Sequence, residues 1–83
     1  MPTILRKNGF RFFFYSRENG EPPHIHVIGH GGEAKLWLNP IEIVGIYNLG
    51  PKDQREILKI TEENVKLFLD NWSEWHGTGS TKS

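Results

Sequence analysis

His24 and His26 are separated by a single residue, and apolar Ile25 and Val27 fill the alternate positions. On a strand, successive side chains point to opposite faces, so both imidazoles leave the chain on one side, with Cα atoms about 6.6 Å apart at roughly 3.3 Å rise per residue. Neutral imidazole is a good ligand for a divalent transition metal, and it exchanges protons near neutrality, so such a pair suits metal binding or general acid and base steps. The same alternation also fits a solvated polar face that happens to carry two histidines.

A metal site would need more donors. Glu33 or His30 could supply a third and water a fourth, although nothing in the spacing fixes that third ligand. The chain has no cysteine, so thiolate ligands and disulfides are excluded. Gly29, Gly31 and Gly32 join two strand-like stretches and lack the following helix that a phosphate-binding loop requires. Ser16 and Ser73 stand in no recognisable nucleophile context.

The elements that must position the histidines can be read from the flanking residues. Pro22-Pro23 keeps the approach extended, because each ring fixes φ and the residue before a proline avoids the α region. A strand is predicted from His24 to Gly29. Before it, residues 3–6 form a short strand, Asn8-Gly9 is a hairpin turn signal, and residues 10–15 place Phe10, Phe12 and Phe14 on one face against Arg11, Phe13 and Tyr15 on the other. After it, Gly31-Gly32 turns the chain into residues 33–38, where Ala34, Leu36 and Leu38 alternate with Glu33, Lys35 and Trp37. Asn39-Pro40 interrupts the meander, since proline cannot donate to a ladder. Residues 41–47 read as a fifth strand, with a short helical turn as the alternative.

From Pro51 the period becomes helical. Gly50 or Asn48 can cap, Asp53 lies in the first turn, and Ile57, Leu58, Thr61, Val65, Phe68, Leu69, Trp72 and Trp75 share one arc. The helix is predicted to end at Gly77, leaving residues 78–83 as a disordered tail beyond a single domain of residues 1–77. The fold predicted is α+β, a four- or five-stranded antiparallel meander covered on one face by a long C-terminal helix. A helix of 25 residues is about 37 Å long and a six-residue strand about 20 Å. The helix must therefore overhang the sheet or bend near residues 61–64. An overhang would expose Trp72 and Trp75 and make them a partner interface; alternatively the loop carrying Ile46, Tyr47 and Leu49 folds over them.

The uncovered sheet face would carry Arg11, Tyr15, His24, His26, Glu33, Lys35 and Trp37, a mixture suited to binding. Three readings follow: a metal site at His24 and His26, an RNA-contacting surface that stacks bases on aromatic rings beside Arg11 and Lys35, and a protein-interaction module without chemistry. Ten basic against ten acidic residues give no net charge in 83, which speaks against a dominant attraction to nucleic acid or anionic lipid. No apolar run approaches the roughly 20 residues needed to span a bilayer, and no secretory leader is evident, so a cytoplasmic location is expected.

Met1-Pro2-Thr3-Ile4, residues 9–16, Pro22-Pro23-His24-Ile25-His26-Val27 and residues 32–38, with Glu63-Asn64 and Trp72 further on, closely resemble the bacterial domain-of-unknown-function family numbered four-one-six-zero. The resemblance transfers no catalytic residue. It implies one half of a two-gene module of the toxin–antitoxin kind, which favours a protein partner or an RNA-directed role. Taken with the residues themselves, the function expected is a binding module that acts through a protein partner or as a homo-oligomer, with a metal-dependent or RNA-directed enzyme using the His24 and His26 face as the alternative.

Overall fold

The computed structural model describes residues 3–15 and 20–76, and for Trp75 and His76 the backbone alone. The expected tail at residues 78–83 lies outside the described residues, as does the side chain of Trp75.

Five strands, β1 (Thr3–Lys7), β2 (Phe10–Phe13), β3 (His24–Gly29), β4 (Gly32–Leu38) and β5 (Ile41–Tyr47), form one antiparallel sheet in the order β1-β2-β3-β4-β5. Every neighbour in the sheet is a neighbour in sequence, so the meander is confirmed and the stretch after Asn39-Pro40 is a strand. Asn8 and Gly9 take φ of 54° and 84°, as a type I′ hairpin requires. The β3–β4 turn sits one residue earlier than expected. His30 and Gly31 carry the positive φ values, 52° and 81°, and Gly32 already belongs to β4.

Two helices follow, α1 (Pro51–Glu63) and α2 (Val65–His76), in place of one continuous helix. Gly50 is the N-cap with Pro51 behind it and Asp53 in the first turn. Asn64 leaves helical dihedrals at φ −123°, yet its N–H still reaches the carbonyls of Ile60 and Thr61, and its own carbonyl accepts from Phe68. The path therefore bends without losing its hydrogen bonds, and the buried Thr61 hydroxyl donates back to Ile57 O at 2.8 Å, an arrangement that favours bending.

That bend resolves the length mismatch. α1 lies by β5 and α2 by β4, and both pack on the same sheet face. Phe10, Phe12, Ile25, Val27, Ala34, Leu36 and Leu38 meet Ile57, Ile60, Phe68 and Trp72 there. Trp72 is only 4% exposed, so the expectation of an exposed overhanging ring is corrected. Of the stretch expected to fold over it, Ile46 and Tyr47 are exposed while Leu49 is buried in the same core; Phe14 meets Trp72 edge-on at 5.5 Å and His24 lies at 4.9 Å.

Candidate functional site

The face away from the helices is built from cross-strand rungs, because directly opposed residues on antiparallel strands share a side. One rung runs Arg6, Arg11, Ile28, Glu33, Tyr47; the next runs Phe13, His26, Lys35, Gly45; a third runs His24, Trp37, Glu42. The register thus brings Arg11, His24, His26, Glu33, Lys35 and Trp37 to one face, and Tyr15, just past β2, joins them through its ring, 4.5 Å from that of His26.

The two imidazoles are not equivalent. His26 is half-buried, while His24 is fully buried, contrary to the pair of accessible rings expected from alternation alone. His24 opens β3 at the end of the sheet, where Trp72 of α2 reaches its ring, with Trp37 and His26 at 5.7 and 5.1 Å on its other sides. Its Nδ1 donates to the carbonyl of Pro22 at 2.9 Å. A carbonyl only accepts, so the neutral ring carries its lone pair on Nε2.

The flanking charges are also held. Arg11 lies over the Phe13 ring, 4.9 Å from its centroid, and Lys35 lies 5.0 Å from that of Trp37. Lys35 pairs in addition with Glu21, whose carboxylate comes within 3.9 Å of His24 Nδ1. Glu21 is a member of the site that sequence reasoning missed. Its neighbours Pro22-Pro23 were the available signal, since a rigid approach fixes where the preceding side chain can reach. Phe13, at 1% exposed, forms with Tyr15 and His26 a small aromatic cluster under the Arg11 cation. Beside it His26, Glu33, Lys35, Gly45, Ile46 and Tyr47 line a groove of about 240 Å³.

Neither expected third metal ligand joins the histidine pair. Glu33 stands on another rung, and no group of three or more His, Asp or Glu placed to hold a metal ion occurs among the described residues. His30 lies at the far end of β3, about 20 Å from His24 at roughly 3.3 Å per residue. There its Nε2 donates to Asn8 O and its Nδ1 to Asp53 Oδ1, both at 3.0 Å, while its ring stacks on Phe10 at 4.1 Å. Asn8 Nδ2 donates in turn to Glu56. His30 is therefore a clamp between two hairpin turns and the start of α1.

Two acceptors on one imidazole favour the doubly protonated ring. The Asn8 carbonyl, then the Asp53 carboxylate, raise the His30 pKa above its ordinary value, with the charges of Asp53 and Glu56 acting in the same direction. A folded-state pKa raised above the unfolded one means that the stabilisation is complete below about pH 6.5 and fades as pH rises through the folded value. The melting temperature of His30→Gln should accordingly fall furthest below wild type near pH 5.5 and approach it near pH 9, as read by thermal denaturation. A gap independent of pH would rule out the charged clamp.

The family model described as Domain of unknown function (DUF4160) matches residues 9–73. The chain belongs to that family. The DUF4160 match takes in β2 through β5, α1 and most of α2, so every residue on the rungs just described, Arg6 excepted, lies within the shared span. No curated protein and no solved structure matches the chain. No helix of the described DUF4160 residues is long and apolar enough to cross a membrane.

Proposed function

We propose that this chain is a small binding module that works through a protein partner, as one half of a two-gene system of the toxin–antitoxin kind, and that the partner docks on the sheet face opposite the helices. The observation that carries this reading is the presence of Arg11, Tyr15 and Trp37 around His26 on that face, with Tyr15 39% exposed. Tyrosine, tryptophan and arginine are the residues most enriched among binding hot spots, because they offer large rigid surfaces with polar ends. The balance of ten cations and ten carboxylates favours a protein over a phosphate polymer.

The test is to tag the chain in its native host, identify the protein that co-purifies, and measure its affinity by calorimetry. Arg11→Ala, Tyr15→Ala and Trp37→Ala should each weaken binding by about tenfold or more, the usual loss at a hot spot, while Leu67→Ala on the outer side of α2 should change nothing. Full affinity in all three variants would remove the face from the reading.

A second reading has its own observation. Donation from His24 Nδ1 to a backbone carbonyl is the arrangement that orients metal-bound histidines, and His26 stands beside it. The same calorimetry with zinc, manganese and iron(II) tests it. Micromolar binding lost in His26→Ala would favour this metal reading, whereas salt-sensitive binding of single-stranded RNA would favour the RNA-directed one.

A further inference from the structure

We propose that β5 is a dimerisation edge: two copies of this chain pair their β5 strands antiparallel across a two-fold axis lying between Val44 and Gly45, making one sheet continuous through both protomers. The inference goes beyond the proposed docking face: it concerns the backbone edge of β5, although Glu42, Gly45 and Tyr47 of that strand also lie on the face.

The strand order leaves β1 and β5 at the two edges, and they are treated differently. β1 is five residues long and ends in Arg6-Lys7, and a short edge that carries cations discourages strand addition. β5 is seven residues long and carries Glu42 as its sole charge. Val44, Ile46 and Tyr47 are 41, 44 and 67% exposed, and no described segment pairs with the outer side of the strand. A row of backbone N–H and C=O groups is satisfied as a row only by another strand, so the edge specifies the kind of occupant.

The side chains specify which strand. Ile41, Ile43 and Ile46 oppose Leu38, Leu36 and Ala34 on the helix side, whereas Glu42, Gly45 and Tyr47 oppose Trp37, Lys35 and Glu33 on the other. Residue numbers three apart share a side here because the register shifts between Lys35 and Leu36, leaving Val44 as the extra residue of a bulge. Opposed residues of an antiparallel pair must share a side. With the two-fold between Val44 and Gly45, Ile43 meets Ile46 of the partner subunit on the helix side, and Glu42 meets the partner's Tyr47 on the other. Val44 then faces the partner's Gly45, which has no side chain to crowd it. A regular strand would put these pairs on opposite sides; the bulge makes the strand self-complementary. The one carboxylate meets a phenol and never its own copy, so no like charges oppose each other.

Sedimentation velocity on the whole chain, from low micromolar to near-millimolar concentration, should show a species of twice 9.6 kDa. Ile46→Lys should give a monomer with an unchanged circular dichroism spectrum, because lysine on an edge blocks strand addition and Ile46 is already exposed. The chain has no cysteine, so the register can be read by cross-linking. Glu42→Cys with Tyr47→Cys in one chain should form a disulfide-linked dimer on oxidation, and either substitution alone should not. A wild type that stays monomeric throughout, an Ile46→Lys variant that still dimerises, or equal cross-linking by the single variants would each overturn the proposal. Loss of partner binding in the Arg11, Tyr15 and Trp37 variants without change in sedimentation separates this outcome from that of the docking face.

Discussion

Trp72→Ala is expected to lower the free energy of unfolding by about 3–5 kcal/mol, the range for truncating a large aromatic ring in a packed core. Whole domains are stable by only about 5–15 kcal/mol, so the loss is a large fraction of the total. The size of the effect follows from where the ring sits. It is the point at which α2 closes on the end of the sheet, with Phe14 edge-on at 5.5 Å and His24 at 4.9 Å. Its loss leaves a void and removes the cover of a buried imidazole at once. Trp72→Phe keeps a ring in place and should cost much less. Leu67→Ala, on the exposed side of the same helix, should stay within about 0.5 kcal/mol of wild type. Urea unfolding followed by far-ultraviolet circular dichroism measures all three, and a loss below about 1 kcal/mol for Trp72→Ala would mean that the ring is not packed as described.

Gly32→Ala should be nearly as damaging, through crowding in place of a void. A Cβ at Gly32 would lie 2.4 Å from Tyr47 O, 2.5 Å from Asn48 O and 2.7 Å from Leu49 Cγ. Two of these are backbone oxygens, which cannot swing aside as a side chain would, so the end of β5 must move away from β4. A cost of about 3 kcal/mol, at the upper end for overpacking, is expected. Gly45→Ala is the contrast. Its new Cβ would sit 3.5 Å from Lys35 Cβ, an ordinary contact, so within the single chain lost freedom in the unfolded state should leave the fold unchanged or stabilised by about 0.4–1 kcal/mol. Thermal melts of the two variants decide the matter; equal shifts would sink the close-approach argument.

Gly32 also shows what could and could not be read from the chain. Two consecutive glycines at positions 31 and 32 announce a turn, and a turn is there. Only the fold reveals that they do different work: Gly31 takes the positive φ, His30 takes the preceding one, and Gly32 is small because two carbonyls approach it. The alternation in residues 10–14, 24–29 and 33–38 was enough to assign both faces, because a two-residue period admits one solution once the apolar side is known. β5 was legible from its β-branched residues, and its bulge was not, since the extra residue depends on a partner strand. His24 escaped for a similar reason. Alternation states which side a residue faces, but the burial of a strand's first residue depends on what reaches it from the helix layer, and that was set by the bend at Asn64. The Glu21–Lys35 pair joins positions far apart in sequence: Pro22-Pro23 marks Glu21 as held by a rigid approach, but nothing local names Lys35 as its partner.

The two ends of β3 serve separate tasks. At one end His30 ties turns and helix together through Asn8 and Asp53; at the other, Tyr15, Trp37 and His26 surround the groove side of the sheet. Side chains that anchor the scaffold and side chains that face outward thus share few neighbours. Substitutions at Tyr15 should therefore leave the frame beneath unchanged, whereas Trp37, which carries Lys35 and touches the buried His24, should couple to both.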